Sequence, residues 1–167
     1  MLKLLACCLA FAPAVFAQVG LETFPQPFPP PGRGTTIHDG VLTCDGGGAA
    51  TGCSIELKPE WGKLKLSTFM RVTDVKSGPE GWDNGRLTMQ FVDAAGKMVG
   101  AWPDVFGFEG STDWMSCERV YPIPEGAARL NVGLCNLGKS GKVEFKPVSL
   151  KVHRLRVTGK CDAPLPE

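Results

Sequence analysis

The stretch that decides the fold is Lys63-Leu-Lys-Leu-Ser-Thr-Phe-Met-Arg-Val-Thr73, in which apolar and polar residues alternate. One parity is apolar and the other is mainly polar, the two sets being Leu64, Leu66, Met70 and Val72 against Lys65, Ser67, Phe69, Arg71 and Thr73. A period of two is that of a β-strand with one buried face. The stretch therefore predicts a strand over 63–73 whose apolar side chains point to a core.

The same pattern, broken by glycine and proline, recurs on the C-terminal side. It predicts further strands over 85–92, 97–102, 114–121, 128–135 and 142–157. Asp93-Ala-Ala-Gly96 predicts a hairpin turn, because glycine accepts a positive φ. Lys146-Pro147 falls inside the last stretch and predicts a bulge or an edge there, since proline cannot donate to a strand ladder.

No window of 12 residues sustains a helical period, so the chain is predicted to be all-β. Short strands between Gly/Pro turns are typical of a sandwich or a barrel. The one-sided alternation indicates sheets with one core face and one outer face.

The chain is 167 residues long, and residues 1–17 have the pattern of a signal peptide. Lys3 is followed by an apolar run that is too short to cross a bilayer, and the run ends at Val15-Phe16-Ala17. Without the leader, 17 basic and 17 acidic residues remain, with no basic run. This balance argues against nucleic acid and anionic membranes as partners, and no other stretch is long enough to span a membrane.

Three further segments follow the leader. Residues 18–34 form a proline-rich linker or arm that either spaces the domain or lies across it through Phe24 and Phe28. Residues 35–160 are predicted to form one β-sandwich domain, and 161–167 form a tail. We expect the mature chain to be secreted or periplasmic.

Five cysteines lie beyond the leader, and an oxidising compartment favours two disulfides. Cys44 and Cys53 flank a glycine-rich stretch and could close a small loop. Cys117 and Cys135 lie in two predicted strands and could bridge them, which would leave Cys161 as the odd thiol. The spacing alone leaves other pairings open.

Several phrases, in this order, resemble the CenC-like jelly-roll carbohydrate-binding modules attached to secreted bacterial glycoside hydrolases. They are Trp61-Gly-Lys-Leu-Lys-Leu-Ser, Gly78-Pro-Glu-Gly-Trp-Asp-Asn84, Phe91-Val-Asp-Ala-Ala-Gly96, Gly110-Ser-Thr-Asp-Trp114, Val120-Tyr-Pro-Ile-Pro-Glu-Gly-Ala-Ala128 and Gly141-Lys-Val-Glu-Phe-Lys-Pro-Val-Ser-Leu150. The resemblance covers about residues 55–152. It implies a jelly-roll β-sandwich of two antiparallel sheets that binds polysaccharide or glycan, with a secreted glycoside hydrolase as a partner.

Such modules often carry a structural calcium held by an Asp pair before Val-Ser-Leu. Lys146 and Pro147 occupy those positions here, so we expect no metal site and no cofactor.

A sugar site needs exposed aromatic rings for the C–H faces of the sugar and polar side chains for its hydroxyl groups. Trp82, Asn84, Arg86, Thr88 and Gln90 share one parity and would all point away from the core. Trp102 and the nearby Asp104 form a second candidate platform. The candidate ligand-binding residues are thus Trp82, Asn84, Arg86, Gln90, Trp102 and Asp104, and Phe69 and Arg71 could line the same surface.

Each candidate has a structural alternative. Trp82 and Trp102 could instead cover sandwich edges, and an outward polar face is by default solvated. Trp61 and Trp114 begin strands and are predicted to lie in the core.

Catalysis requires grouped acids, bases or nucleophiles, and neither His38 nor His153 lies in a triad or metal motif. The loop carboxylates of Glu80, Asp83, Asp104, Glu109 and Asp113 could supply a glycosidase pair. The sequence therefore predicts a non-catalytic module that binds polysaccharide by stacking and hydrogen bonding. The alternatives are a structural or protein-interaction sandwich and a small jelly-roll glycosidase or polysaccharide lyase.

Overall fold

The computed structural model describes residues 19–20, 28–103 and 105–154, which form strands and loops without a helix. The eleven strands are β1 (Val19–Gly20), β2 (Thr35–His38), β3 (Val41–Asp45), β4 (Ala49–Glu56), β5 (Trp61–Lys76), β6 (Gly85–Val92), β7 (Gly107–Phe108), β8 (Met115–Pro122), β9 (Arg129–Asn136), β10 (Ser140–Phe145) and β11 (Ser149–Arg154). Within these ranges no helix is long and apolar enough to cross a bilayer.

The strands form two antiparallel sheets that pack face to face. The seven-stranded sheet has the order β1-β11-β5-β10-β3-β2, with β8 on the other side of β5. The four-stranded sheet has the order β4-β9-β6-β7. The predicted all-β jelly-roll sandwich is confirmed.

The 16-residue strand β5 organises the larger sheet. From Leu64 to Val72 it follows the alternation of the sequence, with Leu64, Leu66 and Met70 fully buried, and the parity changes near the ends, where Trp61 and Val75 are buried. On one side it pairs with β8, and on the other side first with β11 and then with β10. The apolar parity of this strand therefore fixes the core face of the sheet.

The chain interruption at Lys146-Pro147 is where the sequence predicts it. The last stretch divides into β10 and β11, which lie one after the other along the same side of β5. Lys146 still donates its backbone N–H to the carbonyl of Phe69 at 3.0 Å, whereas Pro147 has no N–H to donate.

The core lies between the sheets and is built from both. Its fully buried members include Leu42, Leu64, Leu66, Val143 and Phe145 of the larger sheet and Leu87, Met89, Leu130 and Leu134 of the smaller one. Trp61 is also buried, as predicted.

The Asp93–Gly96 turn forms as expected. Gly96 has a φ of 85° and donates its N–H to the carbonyl of Asp93 at 3.0 Å. Asp93 in turn donates its own N–H to the carbonyl of Lys97 at 2.9 Å.

The prediction of a strand over 97–102 is wrong. The chain makes one bridge, Val92 to Met98, and then leaves the sheet at Gly100, which has a φ of 77°. The short strand β7 takes the edge position beside β6 instead. Residues 97–102 consequently belong to a loop.

Residues 28–34 of the proline-rich segment pack against β4. The Phe28 side chain is buried in the core, and Thr51 Oγ1 donates to the carbonyl of Pro30 at 2.5 Å. The backbone of Arg33 forms an isolated antiparallel β-bridge with Ala50. Phe24 lies outside the described residues.

The predicted disulfides are absent: Cys44, Cys53, Cys117 and Cys135 are free thiols. Cys44 and Cys117 lie in the larger sheet, and their predicted partners, Cys53 and Cys135, lie in the smaller one. In the strand register, Cys44 lies opposite Val143 and Cys53 opposite Val132, while Cys117 lies opposite Thr68 and Cys135 opposite Arg86, so no described cysteine is the strand neighbour of its predicted partner. Cys161 lies outside the described residues.

The thiols are instead packed as small apolar groups. Burial raises the pKa of the Cys44 thiol to about 12, with Cys135 adding to the shift, and its Sγ contacts the carbonyl of Leu134 at 3.5 Å. Burial also raises the pKa of Cys117 to about 11 and that of Cys135 to about 11. Because burial keeps these thiols protonated, they are expected to be unreactive in the folded chain.

Candidate functional site

The outer face of the four-stranded sheet carries polar side chains in two adjacent rows. Arg86, Thr88 and Gln90 alternate along β6 with the buried Leu87 and Met89. The neighbouring strand β9 pairs with β6 in register and adds an asparagine at 131 beside Gln90. This face offers hydrogen-bond donors and acceptors at a regular spacing.

The centre of this face is low because two glycines meet there. Gly133 of β9 lies between Gly52 of β4 and Thr88 of β6. A Cβ atom on Gly52 would lie 2.6 Å from the carbonyl oxygen of Val132, so the packing excludes a larger residue. The glycines leave a floor on which a ligand can approach the backbone closely.

Trp82 is held at one end by the loop between β5 and β6. The loop is closed by bonds from Gly78 N to the carbonyl of Asp83 at 2.8 Å and from Asp83 N to the carbonyl of Glu80 at 2.9 Å. The Trp82 carbonyl accepts from Asn84 N at 2.9 Å. The backbone is thus fixed while 56% of the Trp82 surface stays exposed.

Trp102 rises over the middle of the face from the loop between β6 and β7. This loop is anchored on both sides of the ring, because Val99 N donates to Phe91 O at 2.9 Å and Leu87 N donates to Phe106 O at 3.0 Å. The exposed fraction of Trp102 is 65%.

Two adjoining depressions cover this face. One, of about 550 Å³, lies between Trp82 and Trp102 and reaches Arg86 and Leu137. The other, of about 460 Å³, extends past Gln90 over the glycine floor. They share Thr88, Met89 and Trp102, and we call the two together the tryptophan groove.

Arg86 lies at the Trp82 end of the groove. Its Nη1 donates to the carbonyl of Trp82 at 3.0 Å, while its Nε is buried without an acceptor. The arginine also supports the loop that carries the tryptophan.

The structure therefore brings together four of the six candidate ligand-binding residues: Trp82, Arg86, Gln90 and Trp102. Asn84 is not among the lining residues, because its side chain turns to Gly81 O and packs against Gly107. Asp104 lies outside the described residues.

Several residues that line the groove are not among those predicted from the sequence. Ser54, Asn131, Val105 and Leu137 line the groove but come from other strands and loops. The outward parity of the asparagine in β9 was the one available signal, and strand order is needed to place it next to Gln90.

Phe69 and Arg71 do not line this surface, contrary to the expectation. They lie on the outer face of the other sheet, because β5 belongs to the seven-stranded sheet. Trp114 is also there and only half-buried, so its assignment to the core is wrong. The Arg71 guanidinium and Lys146 Nζ each lie 4.8 Å from its ring centroid, which holds the ring on the sheet.

The loop carboxylates do not form a described catalytic pair. Asp83 Oδ2 accepts from Glu80 N within the Trp82 loop, and Glu109 accepts from Ser77. Asp113 lines a separate depression beside Arg71. No group of three or more metal-ligating side chains occurs in the part of the chain that the structure describes.

The chain matches no protein-family model and no curated protein. Among solved structures, it is similar to a family 4 carbohydrate-binding module (CBM4), with a TM-score of 0.52 and 9% identity over 71% of this chain and 75% of that chain. It is also similar to a family 16 carbohydrate-binding module, with a TM-score of 0.49 and 18% identity over 66% and 74% of the two chains. A third likeness, at 0.48 and 17% identity, is to the enzymatically active domain of tailspike protein 4 of bacteriophage CBA120, of which this chain spans 15% while 67% of its own length is matched. The fold is that of a carbohydrate-binding-module-like β-sandwich.

Proposed function

We propose that this protein binds polysaccharide in the tryptophan groove and does so without cleaving it. One observation carries the proposal: Trp82 and Trp102, on separate loops, are both largely exposed and line the same depression. Contiguous exposed apolar surface that is bordered by polar residues is typical of a ligand-binding groove.

The chemistry of the groove supports a sugar ligand. Indole rings take the C–H faces of pyranose rings, and the polar row of Thr88, Gln90 and Asn131 supplies partners for hydroxyl groups. The groove is open along the sheet, so an internal segment of a long chain fits as well as a chain end. Because the loops are fixed by hydrogen bonds, the site is largely preformed and little ordering is needed on binding.

The likeness to CBM4 and the resemblance to CenC-like modules add support from the fold. We further propose that residues 1–17 direct export and that binding keeps a secreted glycoside hydrolase near its substrate. The mass of the protein recovered from the outside of the producing cell tests the first point, since removal of the leader leaves Gln18 as the first residue.

The central experiment is a pull-down of residues 18–167 on a panel of insoluble and soluble polysaccharides, with retention and released reducing sugar scored together. Retention without release is expected. Release would contradict a purely binding role and would direct attention to Glu80, Asp83 and Asp104. The absence of both signals over a broad panel would favour a protein-interaction sandwich.

A further inference from the structure

The tryptophan groove contains one charged residue among its described lining residues, and this is Arg86. Around it the lining is otherwise apolar or uncharged, with Trp82, Trp102, Val105 and Leu137 at the same end. A cation set among indole rings and aliphatic groups is a specific feature, because charged side chains normally avoid such surroundings.

The Arg86 guanidinium has no counter-ion among the described residues. Within the part of the chain that the structure describes, the guanidinium donates to a neutral acceptor, the carbonyl of Trp82, and its buried Nε has no acceptor. The strand neighbours of Arg86 are Cys135 and Gly107, which are both uncharged. By contrast, Arg71 on the other sheet is paired with Glu144 at 2.7 Å.

A guanidinium has five N–H donors and keeps its charge in any protein environment. Partial burial without an anion costs free energy, and that cost is offset when an anion arrives from outside. The planar fork of the guanidinium matches a carboxylate with two parallel hydrogen bonds. None of the described residues supplies the anion that Arg86 requires at the Trp82 end of the groove.

A uronic acid residue satisfies both halves of this site. Its ring presents C–H faces for stacking, and its carboxylate projects from the rim of the same ring. Arg86 is tied to the backbone of Trp82, so a carboxylate on the guanidinium would place its ring next to an indole. We propose that the groove selects glycans that contain uronic acid residues, with Arg86 as the residue that determines this specificity; the inference rests on the proposed function.

The test compares acidic polysaccharides with neutral forms of the same backbone. Polygalacturonate, alginate and a glucuronate-containing glycan are each paired with their carboxyl-reduced forms, which keep the chain and lose the charge. Dissociation constants are measured by titration calorimetry at low and high salt. At least one acidic form is expected to bind about tenfold or more tightly than its reduced form, and the preference should shrink as salt screens the charge.

Two variants of Arg86 separate charge from geometry. Arg86→Gln should weaken binding of the acidic form about tenfold to a hundredfold more than it weakens binding of the reduced form, because both forms lose the support that Arg86 gives to Trp82 but only the acidic form loses a charge partner. Arg86→Lys keeps the charge but not the fork, and should recover only part of the loss. Lys63→Gln removes one positive charge from the other sheet and should change neither constant. Thermal unfolding of each variant verifies that it is folded.

The possible failures are distinguishable. Equal binding of acidic and reduced forms, unaffected by Arg86→Gln, would overturn the uronate inference and leave the proposed function intact. Preference for a sulfated glycan over every carboxylated one would overturn the choice of carboxylate. Retention of no glycan of any kind would remove the proposed function itself.

Discussion

Arg71 Nε donates to Glu144 Oε2 at 2.7 Å, across adjacent positions of β5 and β10. The hydrogen bond from Arg71 lowers the pKa of the Glu144 carboxyl, against the opposing effect of burial and with further help from Lys142. The pair joins strands that are far apart in sequence, and it lies on the sheet opposite to the tryptophan groove.

This pair predicts a dependence of stability on pH. Because the pKa of Glu144 is lower in the folded chain than in the unfolded chain, its contribution is complete above the unfolded value and disappears as pH falls through the folded value. Glu144→Gln should lower the free energy of unfolding by about 1 kcal/mol at neutral pH, a modest loss because the Arg71 side chain is partly exposed to solvent. At about pH 2, where the Glu144 carboxyl is protonated, the same substitution should change the free energy of unfolding by almost nothing. Urea titrations at both pH values measure this, with Glu125→Gln in an exposed turn as the control. An equal loss at both pH values would contradict the assignment.

The two faces of the sandwich should differ in their response to tryptophan removal. Trp82→Ala and Trp102→Ala should each weaken glycan binding by about tenfold or more, since exposed aromatic anchors dominate such contacts. The melting temperature should hardly change, because both rings are largely exposed. Affinity electrophoresis on a retained polysaccharide gives the constants.

Trp114→Ala is the matched control for those variants. It removes an indole from the other sheet, together with its contacts to Arg71 and Lys146, and should cost about 1 kcal/mol of stability without any loss of binding. Trp61→Ala should cost about 3–5 kcal/mol, because that ring is buried. If Trp114→Ala alone abolished sugar binding, the site would have to lie on the seven-stranded sheet, which would contradict the tryptophan groove.

Phe28 should anchor the proline-rich segment. Phe28→Ala is expected to reduce the free energy of unfolding by about 3–5 kcal/mol, as for other buried phenylalanines. A chain that starts at residue 28 lacks the two-residue strand β1 and should melt slightly below the chain that starts at 18, whereas one that starts at 35 also lacks Phe28 and should melt at a clearly lower temperature. Equal melting of all three would show that the segment does not stabilise the domain.

The four described cysteines should remain reduced and differ in reactivity. Cys44, Cys117 and Cys135 are buried with raised pKa values, so iodoacetamide should modify them only after unfolding. Cys53 is half-buried and should be modified first, although burial also raises its pKa. Peptide mass spectrometry after native and denaturing labelling identifies each site. A bridge between any two of the four would contradict the structure.

The strands with strong alternation could be predicted from the sequence, and those without it could not. The pattern of 63–73 and 85–92 is a direct consequence of one buried face, and β5 and β6 follow it. Strand β4 is rich in small residues, and the glycine at 52, which forms part of the groove floor, weakens the alternation of its own strand. The stretch 97–102 alternates but has too few pairing partners, so its backbone forms a loop.

Only those residues of the candidate site that lie on one strand could be predicted from the sequence. Parity within 82–90 placed Arg86 and Gln90 on one surface, but parity cannot say which sheet a strand joins. Phe69 and Arg71 were therefore assigned to the wrong face. The same limit explains Trp114, since its apolar ring is covered by cations rather than by the core.

The position of β5 has a consequence for the order of events during synthesis. All of its partners, β8, β10 and β11, come later in the chain, so β5 leaves the ribosome before any strand can pair with it. The larger sheet cannot close until the last of these strands has been made, and such long-range pairing is slow, typically on the order of milliseconds to seconds. The nascent chain consequently stays open for most of its synthesis, a state in which it could still be threaded through a membrane pore, and in which the apolar face of β5 has to be shielded from other chains.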